Sequence, residues 1–172
     1  FETSRASTLQ FVERVPWIPQ LGIQYFLGVD GLSMPLVILT TMLSFLSVLV
    51  SWHIELRVKE YFALLLILET GILGVFTSLD LLLFFLFWEV ELLPMYLLIG
   101  IWGSGRREYS AMKFLIYTVF GSAFMLVGIL WLYRESGLLT FDMTVLGQAD
   151  IASQYAAIFF ARIFVAFAIK LP

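Results

Sequence analysis

No cysteine occurs among the 172 residues, and His53 is the only histidine. The first absence excludes disulfides, thiolate metal sites and iron–sulfur ligation within this chain. The second excludes a histidine-rich zinc or haem site. Charge is scarce as well: Asp, Glu, Lys and Arg make up 13% of the chain, against about 25% in soluble domains. The 13 acidic and 10 basic residues leave a net charge of −3, without the clustered basic footprint that nucleic acid requires. What fills the chain instead is apolar, with 61% hydrophobic and 17% aromatic residues and a mean hydropathy of +0.97. So few polar side chains cannot clothe a water-facing surface, which rules out a soluble globular enzyme and makes the lipid bilayer this chain's solvent. The chain opens on Phe1 rather than Met and closes on Lys170-Leu171-Pro172 inside an apolar run, which reads as a piece of a longer protein. Phe1–Pro19 is mixed and polar and carries no secretory signal pattern.

A hydrocarbon core of about 30 Å takes roughly 20 apolar residues per helix. Five stretches have that length: Leu32–Trp52, Tyr61–Ser78, Leu79–Trp102, Ala111–Tyr133 and Gln154–Leu171. They are apolar all round, so periodicity cannot separate helix from strand, but barrel strands are about 9–11 residues and alternate. The expected fold class is therefore an all-α polytopic transmembrane bundle, with residues 1–31 as an extracytoplasmic lead-in and 32–172 as the bundle. Thr77-Ser78-Leu79-Asp80 is so short a linker that spans two and three must form an antiparallel hairpin. Asp80 is placed to cap the third helix, where a carboxylate suits the free N–H groups. The linkers His53–Glu60 and Gly103–Ser110 carry Arg57, Lys59, Arg106 and Arg107, whereas Arg134–Ser153 carries one Arg against Glu135, Asp142 and Asp150. By the positive-inside rule the first two linkers face the cytoplasm and the amino-terminal segment faces outside. Trp17, Trp52 and Trp102 fall at interfaces, and Trp88 falls within the bundle.

A charge at mid-membrane costs about 2.5–3.5 kcal/mol on insertion scales, so Glu69, Glu89, Glu91, Arg162 and Lys170 each require an account. At 1.5 Å per residue from the turn, Glu89 lies about 14 Å and Glu69 about 16 Å deep. Both reach the bilayer centre, where a carboxylate either handles protons or hydrogen-bonds between helices. Pro94 lacks an N–H and clashes with the carbonyl of Val90, so the helix should bend or loosen beside Glu89. Glu91 points about 200° away from Glu89 round an ideal helix, which suits a salt bridge to another helix or a contact with a partner subunit. Lys113 lies one turn into the fourth span and shares a face with Tyr117 four residues on; it either snorkels to the interface or joins a relay. Arg162 is expected to form a structural ion pair. Lys170 precedes Leu171-Pro172, where the helix should break, and a lysine beside a broken helix at membrane depth suits ion handling.

Several of these motifs occur in an order that resembles a known family. Gly28-Val29-Asp30-Gly31-Leu32-Ser33, Leu79-Asp80, Phe87-Trp88-Glu89, Leu93-Pro94-Met95-Tyr96, Gly100-Ile101-Trp102-Gly103, Lys113-Phe114 with Ile116-Tyr117-Thr118, and Ala166-Phe167-Ala168-Ile169-Lys170-Leu171-Pro172 are similar to the antiporter-like membrane subunits of proton-pumping NADH:quinone oxidoreductase, respiratory complex I. The resemblance runs from about Trp17 to Pro172 and places the chain at the third to seventh helices of a longer bundle. It implies that Glu89 is the membrane glutamate that tunes the proton affinity of Lys170, and that Lys113 belongs to the proton path. Glu69, Glu91 and Tyr117 are secondary candidates from the residues themselves. It also implies that this chain holds no cofactor, with NADH, FMN, iron–sulfur clusters and quinone in partner subunits. The partners implied are other membrane subunits, including antiporter-like homologues, and the lipid bilayer, not nucleic acid. The membrane implied is the bacterial plasma membrane, with the thylakoid or mitochondrial inner membrane as alternatives. Glu91 matches the acidic residue of photosynthetic relatives, while Arg162 stands where a small residue is usual. A cation/proton antiporter subunit of the Mrp type and a membrane-bound hydrogenase subunit are the competing readings.

Overall fold

The computed structural model describes residues 1–149 and 153–171. Among these residues six main helices and one short one follow a β-hairpin. Strands β1 (Gln10–Ile18) and β2 (Ile23–Val29) pair antiparallel, with Gln10 opposite Val29 and Ile18 opposite Ile23. From the sequence this segment is expected only as a lead-in to the bundle. The hairpin stays hidden there because β1 alternates too loosely to mark one buried face, and Pro16 interrupts it; Pro is tolerated here because a two-stranded sheet consists of edges.

Helix α1 (Ser33–Val50) follows Asp30, whose carboxylate accepts hydrogen bonds from the amides of Leu32 and Ser33 at 3.0 and 2.7 Å. These amides, with the Ser33 hydroxyl, hold Asp30 below the usual carboxylate range, the Ser33 amide contributing most. Helix α2 (Val58–Thr77) returns antiparallel and turns at once into α3 (Leu81–Val90). As the short linker predicts, Asp80 caps α3, accepting from Leu82 and Leu83 amides at 2.9 and 3.1 Å. Helix α4 (Leu92–Trp102) continues from α3, and the interruption falls on Glu91, four residues after Phe87 and three before the buried Pro94. The loosening expected from Pro94 is therefore present. The long α5 (Arg107–Glu135) extends past both expected boundaries, a short α6 (Met143–Leu146) crosses the following loop, and α7 (Ser153–Lys170) lies along α5.

Among the described residues four helical segments are long and apolar enough to cross a membrane: Ser33–His53, Val58–Thr77, Leu81–Trp102 and Arg107–Glu135. The fifth expected span is helical over Ser153–Lys170. Its break at Pro172 lies outside the described residues.

Small residues set the helix spacing. A side chain at Gly74 would place its Cβ 2.2 Å from the Phe87 ring, and one at Gly128 would lie 3.2 Å from the Cβ of Arg162. Without a hydrophobic drive between helices in lipid, such close backbone approach supplies the packing energy. Gly74→Val is accordingly expected to lower the stability of the full-length protein in detergent by about 1–3 kcal/mol, the cost of overpacking. Trimming the opposing ring, Phe87→Leu, should recover part of the loss; thermal unfolding of the single and double variants measures both, and purely additive effects would refute the contact.

The core lies where α5, α7 and the extramembrane loops meet: Met125, Ile129, Leu132 and Ala166 pack with Leu81, Ile23, Phe141 and Leu146.

Candidate functional site: a lysine between two carboxylates

Lys170 closes α7. Its neighbour Ile169 faces Gly121, the midpoint of α5, so the ammonium arrives halfway across the bundle. Glu89 and Glu91 lie nine and eleven residues from the Asp80 turn, about 14–16 Å at helical rise. The three groups therefore meet at one depth. Lys170 Nζ donates to Glu91 Oε1, forming an ion pair whose side chains are 25% and 14% exposed. The same ammonium lies 3.8 Å from the centre of the Trp88 ring. That ring is itself held edge-on by Phe167 and flanked by Phe84. A desolvated cation over indole is worth about 2 kcal/mol, so Trp88 is a platform that keeps the ammonium in place.

Glu89 is the third member. Its charge reaches Lys170, but among the described residues its Oε1 is buried without a hydrogen-bond partner. Thus two carboxylates compete for one ammonium, with Glu91 holding it. Glu91 sits at the junction of α3 and α4, and its carboxylate is the one that contacts Lys170. A buried orphan oxygen is costly while ionised, so the cluster has an unsatisfied arrangement that one proton, or a shift of the ammonium, would relieve.

The other candidates lie apart. Lys113 sits on an exposed face of α5 near Arg106 and Arg107, with its ammonium 5.9 Å from the Tyr117 ring centre. Glu69 faces a separate cleft between α1 and α2. Arg162 departs from its expected ion pair: its guanidinium rests 5.2 Å from the Trp131 ring, and no carboxylate pairs with it among the described residues. Among those residues no group of three or more His, Asp or Glu side chains is placed to hold a metal ion.

Outside the spans the hairpin is locked to the bundle by contacts that the sequence alone does not reveal. Arg14 donates to Asp142 at 2.7 Å and to Gln24 Oε1 at 2.5 Å, and the Gln24 amide donates to Asp80 at 3.1 Å. Asp80 and Asp142 are almost wholly buried. Burial holds the Asp80 carboxyl above the ordinary range, outweighing its three amide donors. Asp142 also caps α6, and its Asp-x-Thr sequence is the one local sign of that role.

Residues 78–172, which contain the whole Lys170 cluster, match the NADH:quinone oxidoreductase/Mrp antiporter transmembrane family. The chain belongs to that family. It is 45% identical over 171 residues to the NAD(P)H-quinone oxidoreductase chain 4 1 of Synechococcus elongatus, covering 99% of this chain and 32% of that one. Among solved structures, respiratory complex I from Thermus thermophilus with bound NADH contains a chain similar at 34% identity with a TM-score of 0.84, over 94% of this chain and 34% of that one. The Mrp complex from Dietzia sp. DQ12-45-1b shares the fold, with a TM-score of 0.80 at 20% identity over 93% of this chain and 18% of that one. The chain thus spans about a third of the length of the quinone oxidoreductase chains it matches. It is an integral membrane protein.

Proposed function

We propose that this chain is part of a proton-translocating membrane subunit of an NADH:quinone oxidoreductase, in which Lys170 accepts and passes a proton under the control of Glu89 and Glu91. The observation that carries the reading is the ammonium of Lys170 held on Glu91, above Trp88, with the orphan oxygen of Glu89 within electrostatic reach. A lysine ammonium can lose its proton when its counter-charge is withdrawn, because desolvation favours the neutral amine. Moving one charge against 100 mV takes about 2.3 kcal/mol, which a change of about fiftyfold in the proton affinity of Lys170 supplies. Protonation of one carboxylate, or transfer of the ammonium from Glu91 to Glu89, changes the local charge by the required kind of step.

In this reading NADH oxidation, FMN, the iron–sulfur clusters and quinone reduction belong to partner subunits, and antiporter-like membrane subunits flank this one. Lys113 and Tyr117 extend the path towards the positively charged loops. The similarity to a cyanobacterial chain 4 supports a bacterial or thylakoid membrane. The Mrp-type reading has support in the joint family model and the shared fold, whereas the relatives of 34–45% identity are quinone oxidoreductase chains.

Glu89→Gln tests the role of the second carboxylate. It keeps size and hydrogen-bonding capacity but removes the charge that competes for Lys170. In the assembled complex the variant is expected to cut substrate-driven proton pumping by about a hundredfold or more, within the 10²–10⁴ range of positioned proton-transfer groups. Electron-transfer-linked acidification in sealed vesicles measures it, and pumping at the parent rate would sink the role assigned to Glu89.

A further inference from the structure

Away from the Lys170 cluster, the seam between α1 and α2 has an inverted pattern. Along α1 the outward positions are mostly apolar, with Met42, Leu43, Phe45, Leu46, Leu49 and Val50 exposed. The covered positions carry hydroxyls: Thr40 and Ser51 are buried, and Ser44 and Ser47 are half-buried. Their spacing of four, three and four residues is one face of a helix, and over eleven residues it climbs about 16 Å. At one end Ser51 Oγ hydrogen-bonds Tyr61 Oη at 2.7 Å. Thr40, Ser44 and Ser47 line a cleft of about 320 Å³ whose only charged lining group is Glu69. The helices run antiparallel, so with Ser51 opposite Tyr61, Glu69, eight residues further along α2, lies level with Leu43 and Ser44. Thr40 and Ser47 already donate to carbonyls of their own helix, Leu36 O and Leu43 O, both at 2.8 Å. Their oxygens remain able to accept hydrogen bonds. Among the described residues no hydrogen bond or ion pair is recorded for the Glu69 carboxylate, although it lies at mid-membrane depth.

We propose that the α1–α2 seam is a second proton-accepting site, in which water admitted past Tyr61 and Ser51 is ordered by Ser47, Ser44 and Thr40 and delivers protons to Glu69. The step is a transfer from hydronium: its O–H bond breaks, an O–H bond forms on the Glu69 carboxylate, and water is left. Reversal returns the proton. A cleft of this size holds several waters, and the hydroxyl oxygens stacked along one face of α1, with the Glu69 carboxylate on α2, supply their polar partners. The inlet lies beside His53–Glu60, on the side that the basic linkers assign to the cytoplasm. A structural role in which Glu69 only joins helices would call for a partner on the facing helix within hydrogen-bond range, and none is recorded among the described residues. The inference rests on the proton-translocation reading for its purpose but not for its chemistry.

Infrared difference spectroscopy of the intact complex tests it. The parent should show a carboxylic C=O band that appears on acidification and shifts in D2O; Glu69→Gln should lose it, and Glu69→Asp should keep it at a shifted frequency. The double variant Ser44→Ala with Ser47→Ala should keep the band but exchange its proton more slowly. A band unchanged in Glu69→Gln, or no such band in the parent at any pH, overturns the proposal. If the Gln variant does not assemble, the hydroxyl double variant decides, since unaltered exchange overturns the path. Proton pumping separates the two readings. Lost pumping in Lys170 variants with full pumping in Glu69→Gln rejects this site's part in turnover alone. A Glu69 band in a complex that pumps without Lys170 rejects the earlier reading and retains this one.

Discussion

On the proposed function, Lys170→Ala is expected to abolish proton translocation in the assembled complex, measured as substrate-driven acidification in sealed vesicles, while quinone reduction should continue in uncoupled membranes. Three losses coincide in this variant. The proton carrier disappears, Glu91 is left as a largely covered carboxylate without its cation, and Trp88 loses the charge over its face. Removing one partner of a buried ion pair costs about 3–5 kcal/mol when the remaining charge stays ionised. Glu91 escapes that cost by taking up a proton. The charge step proposed for the pair is then gone, and the expected fall in pumping is at least the 10²–10⁴ of a positioned proton-transfer group. Lys170→Arg separates structure from chemistry. A guanidinium keeps the ion pair and the contact with indole but does not deprotonate. The Arg variant should assemble as well as the parent and still fail to pump. Pumping by Lys170→Arg at the parent rate would show that Lys170 serves only as a structural cation.

The second large effect lies outside the membrane. Arg14→Ala removes the cation from Asp142, whose side chain is 1% exposed, and frees the side chain of Gln24, whose own backbone N–H donates to Asp80. Because Arg14 is itself 49% exposed, solvent screens part of the pair, and the cost falls to about 2–3 kcal/mol, below that of a fully buried pair. The guanidinium also sits 4.7 Å from the Phe26 ring centre, so the variant loses packing on β2 as well. Thermal unfolding of the full-length protein should shift downward, and chymotrypsin should cut sooner near Trp17 and Tyr25 as the hairpin detaches. Arg14→Lys, which keeps charge but not the two-pronged geometry, should fall between parent and Ala. An Arg14→Ala protein with the parent's melting temperature and cleavage rate would mean that the hairpin is held by its backbone contacts, such as the Leu79 amide to Phe26 O bond of 2.9 Å.

Much of the membrane architecture was legible because it depends on local and additive properties. Long apolar runs become helices in lipid, where every backbone polar group needs an internal partner. The Asp80 cap and the loosening before Pro94 are also local, each decided within four residues by which N–H groups lack a partner. The family resemblance implies the same bundle, and the family match agrees with it.

Tertiary structure decided everything that joins distant residues. Arg14 and Asp142 are 128 positions apart, and no periodicity couples them. The hairpin they secure was read only as a lead-in, since two short strands acquire a register only when another surface supports them. The partner of Lys170 is the clearest case. On an ideal helix Glu89 and Glu91 face nearly opposite directions, and the resemblance favoured Glu89. The interruption at Glu91 and the close approach of α7 along Gly121 and Gly128 put the ammonium on Glu91 and leave Glu89 with an orphan oxygen. Composition made these charges expensive, and therefore conspicuous, in the bare sequence. Which of them meet depends on the packing of whole helices, where a few ångströms of backbone separation select one carboxylate over the other.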